Sequence, residues 1–254
     1  MTSSASSASS YAIYPSLAGK RVVITGGASG IGAALVEHFV AQKSRVLFFD
    51  LARAEGEKLA QATGATFYCL DLRNLTEFQT ALAKHGESWG GIDVLVNNAA
   101  RDDRHDWRET TPDYFDQCMA VNLKHQYFAI QSCAKQMSAG GSIINMGSTS
   151  WIVGARDLTI YGMAKSAVIG LTRLMARELG EAGIRVNCVQ PGWTMTERQI
   201  KLWLTPEGEE QIMRSQCLKR KLYAPDVARM VLWLAAEDSS MVTQQVFTVD
   251  GGWV

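Results

Sequence analysis

A glycine-rich turn between a strand pattern and a helix pattern restricts this chain to few folds. The β-branched run 21–25 is typical of a buried strand, and the apolar periodicity over 33–40 is typical of a helix. Between them, Gly26 permits a tight turn, Gly30 lets the backbone approach a pyrophosphate, and Gly32 lets helix and strand pack closely. The first turn of the helix then offers free N–H groups and a partial positive charge to phosphates. The stretch therefore predicts a dinucleotide site.

Strand and helix patterns alternate along the rest of the chain. Further strands are predicted over 45–49, 66–70, 91–96, 142–146, 184–189 and 245–249. Helices are predicted over 75–85, 112–137, 157–179 and 224–236. The alternation indicates right-handed βαβ crossovers, so we predict an α/β fold with a doubly wound parallel sheet of the Rossmann type and helices on both faces. Ligands bind such sheets at the carboxyl ends of the strands. Five polar residues fall there: Thr25, Asp50, Asp71, Asn97 and Ser148.

Length and composition favour one domain. The 254 residues suffice for one sizeable core, and no repeat or composition break marks a second domain. We predict a flexible tail over 1–16, which is rich in Ser and Ala and contains no Lys or Arg, followed by a single dinucleotide-binding domain over 17–254. Within this domain, the polar and mostly helical segment 194–220 is predicted to be a substrate lid.

The charge balance and the cysteines exclude several classes of protein. Lys+Arg and Asp+Glu both number 25, so we expect no electrostatic attraction to nucleic acid or to anionic membranes. No apolar run reaches the ~18 residues of a membrane span, and no signal peptide is recognisable. The five cysteines are scattered without a Cys-x-x-Cys pair, so we expect reduced thiols, no disulfide and a cytoplasmic protein.

Residues 101–108 form a dense charged loop after the fourth predicted strand. We expect no metal site there, because the spacing of His105 and the neighbouring aspartates matches no standard ligand set and two arginines intervene. The loop is either a solvated turn or a rim that hydrogen-bonds a polar substrate. The candidates for substrate contact are Arg101, Asp102, His105 and, from a later loop, Arg156.

The reaction chemistry is predicted to lie in residues 148–165. Tyr161 and Lys165 are four positions apart, so on a helix they share one face. An ammonium that close to a phenol is expected to lower the pKa of Tyr161 from about 10 toward neutral pH. Such a tyrosine can act as a base on an alcohol or as an acid on a carbonyl. Ser148 adds a hydroxyl at the end of a strand. Taken alone, the Tyr–Lys pair could be a chance pair on a solvated helix face. The predicted cofactor site favours a catalytic role for the pair.

Asp50 is predicted to select the cofactor. It ends the second predicted strand, where an acidic residue would hydrogen-bond the 2′-hydroxyl of the adenosine ribose, although a plain helix N-cap would use the same residue type. Its carboxylate would repel a 2′-phosphate, and Leu51 supplies no compensating cation. NAD is therefore expected over NADP, with Arg53 as the residue that could soften the preference.

Together these motifs resemble the short-chain dehydrogenase/reductase family over the chain from 17 to 254. The family's glycine motif corresponds to 25–32, its Asn-Asn-Ala-Gly motif to 97–100 and its Pro-Gly turn to Pro191 and Gly192. Ala100 departs from the family's glycine and adds a methyl group near the cofactor. The resemblance implies this catalytic set: Asn122, Ser148, Tyr161 and Lys165.

The resemblance also implies roles for these residues and an assembly. Asn122 would hold a water that relays the proton to solvent, and Lys165 would bind the nicotinamide ribose. The chain would form a homotetramer through the helices near 112–137 and 157–179. The predicted cofactor-binding residues are Gly26, Ser29, Gly30, Ile31, Gly32, Asp50, Leu51, Asp71, Leu72, Asn98, Ala99, Tyr161, Lys165, Pro191, Gly192, Thr194 and Thr196.

Within the family, residues 97–105 and 216–218 resemble bacterial aldose 1-dehydrogenases that act on pentoses such as D-xylose or L-arabinose; D-galactose is a further candidate. The resemblance implies that Tyr161, as phenolate, removes the proton of the anomeric hydroxyl while the C1 hydride passes to the nicotinamide, which yields an aldonolactone. Trp151 and Trp193 would lie against the apolar face of the sugar, or pack as ordinary aromatic residues. The predicted substrate contacts are Ser148, Ser150, Trp151, Tyr161 and Trp193.

Two rival functions stay open at this point. The same residues could serve a reductase of ketones or 3-oxoacyl thioesters, or a dehydrogenase of another alcohol. A dinucleotide-sensing protein without activity is disfavoured, because it could lose Ser148, Tyr161 or Lys165 and all three are present.

Overall fold

Seven parallel strands form one sheet in the computed structural model, which describes residues 11–254. The strands are β1 (Arg21–Thr25), β2 (Arg45–Asp50), β3 (Thr66–Cys69), β4 (Val94–Asn97), β5 (Ser142–Met146), β6 (Arg185–Pro191) and β7 (Val246–Val249). Their order across the sheet is β3-β2-β1-β4-β5-β6-β7. The chain therefore winds outward from β1 in one direction and from β4 in the other, so a crevice is expected where β1 and β4 meet. The predicted doubly wound parallel sheet is confirmed.

Helices cover both faces of this sheet. They are α1 (Gly30–Ala41), α2 (Arg53–Thr63), α3 (Leu75–Trp89), α4 (Pro112–Met119), α5 (His125–Ala134), α6 (Thr159–Gly180), α7 (Glu197–Leu202), α8 (Pro206–Ser215) and α9 (Ala224–Ala235). Several begin where a polar side chain caps the first turn: the Asn74 side chain accepts a hydrogen bond from the backbone N–H of Glu77, and Thr111 accepts one from Tyr114.

Alternate residues of the central strands enter two separate cores. On β1, Val22 and Ile24 pack into the layer that contains α1 and α9, whereas Val23 packs into the layer of α3, α5 and α6. This alternation follows from the two-residue period of a strand, and it explains why the buried strands read as continuous apolar runs. Each fully buried large side chain in these layers contributes about 1.5–3 kcal/mol of burial free energy.

The long helix predicted over 112–137 is interrupted. A π-helical segment, Ala120–Lys124, separates α4 from α5. Asn122 lies within this segment and is fully buried, with its side chain bonded to the loop after β4. Apolar periodicity does not report such an insertion, because one extra residue in a helical turn hardly changes the pattern. The predicted long helix is therefore present over 112–134, and it contains a π-helical segment that the sequence does not indicate.

The beginning of the described chain packs onto the domain. Residues 1–10 of the predicted tail lie outside the described residues. The backbone N–H of Tyr14 donates to Gln42 Oε1 at 2.8 Å, and Gln42 Nε2 donates to the carbonyl of Ala12 at 3.0 Å. The guanidinium of Arg229 lies 4.2 Å from the centroid of the Tyr11 ring. Ordered packing therefore starts before the predicted boundary at residue 17, because the buried amide of Gln42 bonds the backbone of residues 12 and 14.

No helix within residues 11–254 combines the length and the apolar character that crossing a membrane requires.

Candidate active site

The predicted glycines of the turn occupy positions that leave no space for a side chain. Gly26 has a φ of 68°, which favours glycine, and a Cβ atom there would lie 2.7 Å from the Cα of Ala99. At Gly32, a Cβ atom would lie 1.8 Å from the carbonyl oxygen of Gly26. The first turn of α1 thus sits against the end of β1, with its free N–H groups directed to the carboxyl edge of the sheet.

The Asn-Asn-Ala-Ala segment at the end of β4 ties that strand to the glycine turn. Asn98 Nδ2 donates to the carbonyl oxygens of Thr25 at 3.0 Å and Gly26 at 2.8 Å. Thr25 Oγ1 accepts the backbone N–H groups of Asn98 and Ala99. Ala100 is not among the residues with positive φ, so the alanine that replaces the family's glycine causes no backbone strain there.

Asp50 ends β2 with its carboxylate turned toward the glycine turn. Its two oxygens accept the backbone N–H of Ala28 at 2.9 Å and of Ala52 at 3.0 Å. Arg53, the predicted modifier of cofactor preference, instead pairs with Glu57 at 3.3 Å on the exposed side of α2. The Asp50 carboxylate is therefore the charged group that lies at the carboxyl end of β2.

Arg73 is a cation at this edge that the sequence reasoning missed. It makes a bidentate contact with Asp71, and this hydrogen bonding lowers the pKa of the Asp71 carboxyl. The signal in the sequence was the Asp-x-Arg spacing just after β3, the neighbour of β2 in the sheet.

One cleft of ≈ 1220 Å³ joins the two halves of the predicted site. It exceeds the 300–1,000 Å³ typical of a pocket for one small ligand, so it can hold a dinucleotide and a substrate together. Every predicted cofactor residue lines it except Gly30. Gly30 has a φ of 55°, and a Cβ atom there would lie 3.1 Å from the Thr196 methyl, so its role is in the turn itself.

Tyr161 and Lys165 both line the cleft from α6, as their spacing predicts. The Lys165 side chain is almost fully buried, and its Nζ donates to the carbonyl of Met146 at 2.8 Å. The same Nζ lies 5.7 Å from the centroid of the Tyr161 ring. Burial disfavours the charged form and lowers the pKa of Lys165 to about 8.

The pKa of Tyr161 is raised, not lowered. Burial of the phenol is the largest cause, the negative charge of Asp102 adds to it, and a hydrogen bond with Ser148 opposes it. The prediction that the pKa of Tyr161 lies below its usual value is therefore wrong for this structure. The physical reason is that desolvation of the phenol outweighs an ammonium that is directed at a backbone carbonyl.

The predicted substrate contacts separate into two groups. Ser148, Ser150 and Trp193 line the cleft together with Tyr161, and Ser148 Oγ lies 3.0 Å from Ser150 Oγ. Trp151 does not line the cleft: it is 41% exposed and its backbone and Cβ face Gly162 on α6. Residues 147–150 all line the cleft, and the turn that follows places Trp151 outside it.

Asn122 does not line the cleft either. Its Oδ1 accepts the backbone N–H of Arg101 at 2.9 Å, and its Nδ2 donates to the Arg101 carbonyl at 3.1 Å and to the Cys118 carbonyl at 3.0 Å. The buried amide therefore holds the start of the charged loop in place. The water-holding role stays a prediction.

Two aspartates of the charged loop 101–108 are bonded to the segment 194–220. Asp102 accepts a hydrogen bond from Gln199 Nε2 at 2.6 Å, and Asp103 pairs with Arg198 at 2.6 Å. His105 stacks on Tyr114 with 3.8 Å between ring centroids, and it lies outside the cleft.

Several cleft residues were missed by the sequence analysis. Arg104, Arg198, Gln199, Gln211 and Trp253 line the cleft, as does the predicted candidate Arg156. Within residues 11–254, no group of His, Cys, Asp and Glu side chains could hold a metal ion.

Comparison with known proteins places the chain among oxidoreductases. A family model described as enoyl-(acyl carrier protein) reductase matches residues 26–254. The D-xylose 1-dehydrogenase of Caulobacter vibrioides is 46% identical over 251 residues, which cover 96% of this chain and 99% of that protein. A probable galactose dehydrogenase of Rhizobium meliloti is 42% identical over 247 residues, which cover 94% of this chain and 96% of that protein.

Solved structures share the fold. A short-chain dehydrogenase/reductase from Serratia marcescens is 31% identical with a TM-score of 0.87, and the match covers 94% of this chain and 99% of that chain. BdcA, whose structure is a complex with NADPH, is 33% identical with a TM-score of 0.83, and the match covers 92% of this chain and 94% of that chain.

Proposed function

Because the chain belongs to the short-chain dehydrogenase/reductase family, we propose that it oxidises the anomeric C1 hydroxyl of an aldose to an aldonolactone with a nicotinamide dinucleotide. The observation that carries this proposal is that Ser148, Tyr161 and Lys165 line the same cleft as Gly26 and Asp50. A base and a dinucleotide site in one cleft are what hydride transfer from an alcohol requires.

In the proposed mechanism, Tyr161 accepts the proton of the C1 hydroxyl while Ser148 hydrogen-bonds the same oxygen and orients it. When bound, the nicotinamide ring supplies the acceptor for the C1 hydride. Because burial raises the pKa of Tyr161, the phenolate is a strong base once it forms. The buried ammonium of Lys165, 5.7 Å from the phenol ring, is the cation that stabilises this phenolate.

We propose NAD as the preferred cofactor. The residues fit a dinucleotide, because Gly26 and Gly32 keep the turn before α1 free of side chains and Asp50 offers a carboxylate at the end of β2. That carboxylate would repel a 2′-phosphate. Arg73 supports some tolerance of NADP, although its guanidinium is already bound to Asp71. Comparison of kcat/KM for NAD and NADP tests the preference, and a clear preference for NADP would contradict it.

The substrate proposal follows the relatives and the polarity of the cleft. Relatives named for D-xylose and galactose point to a pentose such as D-xylose or L-arabinose, with D-galactose as a further candidate. A reductase of 3-oxoacyl thioesters is the rival, since the matching family model carries an acyl reductase description. The charged groups at the rim, among them Asp102 and Arg104, favour a hydroxylated substrate over an acyl chain.

A substrate screen decides between these candidates. The protein is incubated with NAD and free aldoses, and separately with NADH and a 3-oxoacyl thioester, while absorbance of the reduced cofactor is followed. We expect aldose oxidation, and a loss of about 10²–10⁴-fold in kcat for Tyr161→Phe but not for the matched Tyr68→Phe. Thioester reduction without aldose oxidation would favour the rival. Binding of NADH without turnover of any alcohol would indicate a dinucleotide sensor.

The segment 194–220 is proposed to be the substrate lid. It contains the short helices α7 and α8, and Thr196, Gln199 and Gln211 from it line the cleft. Its bonds to the charged loop after β4 run through polar side chains such as Asp102, which suits a segment that opens and closes.

We further propose a homotetramer and a cytoplasmic location. Exposed apolar residues on α5 and α6, namely Tyr127, Met163 and Leu174, support burial of these helices against other subunits. All five cysteines are free thiols, which suits a reducing compartment. Light scattering tests the first proposal and cell fractionation the second.

A further inference from the structure

Two side chains of opposite charge from the loop after β4 line the cleft near Tyr161. These are Asp102 and Arg104. Both act on the phenol electrostatically: the charge of Asp102 raises the pKa of Tyr161 and that of Arg104 lowers it. A carboxylate and a guanidinium therefore line the same cleft as Tyr161, and both lie close enough for their charges to act on its phenol.

Asp102 is held by a chain of hydrogen bonds from the lid. Trp193 Nε1 donates to Gln199 Oε1 at 2.9 Å, and Gln199 Nε2 donates to Asp102 Oδ2 at 2.6 Å. Arg198 Nε lies 3.5 Å from Asp102 Oδ1, and the Asp102 side chain is 23% exposed. A carboxylate can accept about four hydrogen bonds, so this one is fixed in orientation and still has acceptor positions open to the cleft.

Arg104 is fixed without using its hydrogen-bond donors. Its guanidinium lies 5.3 Å from the centroid of the Trp203 ring. Within residues 11–254, Arg104 has neither an ion pair nor a side-chain hydrogen bond, whereas Arg101 and Arg198 both pair with Asp103. The stacked guanidinium therefore keeps its N–H groups available to a bound molecule.

We propose that Asp102 and Arg104 together bind the vicinal diol of the substrate, the hydroxyls on C2 and C3 beside the reacting carbon. Each sugar hydroxyl is both a donor and an acceptor, so a carboxylate can accept from the diol while a guanidinium donates to it. A site built in this way rejects a substrate that lacks a hydroxyl, because the polar groups of the site are then left unpaired. This inference rests on the proposed aldose oxidation and assigns its specificity to two residues.

The test compares each aldose with its deoxy analogues in matched variants. Asp102→Asn is paired with Asp116→Asn, since Asp116 is exposed on α4 and lies outside the cleft. Arg104→Met is paired with Arg108→Met, since the Arg108 guanidinium also lies over a tryptophan, 4.8 Å from the Trp107 ring centroid. The rate is followed with NAD and D-xylose, L-arabinose or D-galactose, and with the 2-deoxy and 3-deoxy forms of the best of these.

In wild type, removal of either hydroxyl is expected to lower kcat/KM by about 10- to 100-fold, the effect of one hydrogen bond to a charged group. In Asp102→Asn and Arg104→Met, kcat/KM for the full aldose should fall by a similar factor, and a change to the deoxy analogue should lower it little further. These variants should therefore lose the preference for the full aldose over its deoxy analogue. Asp116→Asn and Arg108→Met should change kcat/KM by less than about 5-fold and keep the discrimination. All four variants should bind NADH with the affinity of wild type, which shows that they fold.

The possible outcomes separate the inference from the function on which it rests. If wild type oxidises no aldose, the proposed function fails. If wild type oxidises aldoses and discriminates against deoxy forms, but Asp102→Asn and Arg104→Met discriminate equally well, the diol assignment is overturned. It is also overturned if D-galacturonate is oxidised with a higher kcat/KM than D-galactose and Arg104→Met removes that preference, because Arg104 would then bind a carboxylate.

Discussion

Gly32→Ala is expected to weaken cofactor binding strongly, because the turn before α1 leaves no room for a methyl group. An added Cβ atom would lie 1.8 Å from the carbonyl oxygen of Gly26 and 2.8 Å from Asn98 Nδ2. Ordinary van der Waals contact begins at 3.4 Å, so the start of α1 must move by about 1.6 Å. Overpacking of this kind costs ~1–3 kcal/mol of stability. A shift above 1 Å in groups that position a ligand can cost about 100-fold in function.

Fluorescence titration with NADH measures the dissociation constant, and thermal unfolding measures stability. For Gly32→Ala we expect a rise of about 100-fold in the dissociation constant and a Tm lower by roughly 2–12 °C. The matched control is Gly180→Ala at the end of α6, where an added Cβ atom has no neighbour within 4 Å. This control should keep the affinity and the Tm of wild type or gain slightly in stability. If Gly32→Ala binds NADH within about threefold of wild type, the pyrophosphate does not lie on this turn.

Three further predictions follow from other contacts of the site. Asp50→Ala should weaken NADH binding by about 10- to 100-fold while NADPH binding falls less, as parallel fluorescence titrations would show; equal losses would contradict the ribose role. Lys165 has a pKa lowered by burial to about 8, so the unfolded chain binds more protons between about pH 8 and 10.5 and stability rises with pH there. The Tm of wild type should therefore rise relative to that of Lys165→Met across this window, by the equivalent of about 3 kcal/mol, and a constant difference would refute the burial argument. Asn122→Ala should lower stability by ~1–3 kcal/mol in denaturant unfolding and reduce kcat/KM, because the backbone of Arg101 loses both hydrogen bonds; unchanged kinetics would separate this amide from the site.

The parts of the fold that local patterns encode were predictable. The β-branched run at β1, the glycine turn and the start of α1 are contiguous, and their residue types allow few other conformations. The alternation of strands and helices then implied the parallel sheet and brought the strand ends together. The pair Tyr161 and Lys165 followed from helical spacing alone. For these features, the controlling interactions lie within a few residues along the chain.

Features that depend on distant contacts or on burial were not predictable in this way. Lys165 and Tyr161 share a helix face, but the direction of each pKa shift depends on desolvation by the surrounding domain and on the Met146 carbonyl. Asp102 meets Gln199 across 97 positions of sequence, and Trp253 enters the cleft from the end of the chain. Local spacing thus specified which groups are candidates for the chemistry. The charges around these groups and the other side chains of the cleft were set by long-range packing, because electrostatic energies depend on what surrounds a group in three dimensions.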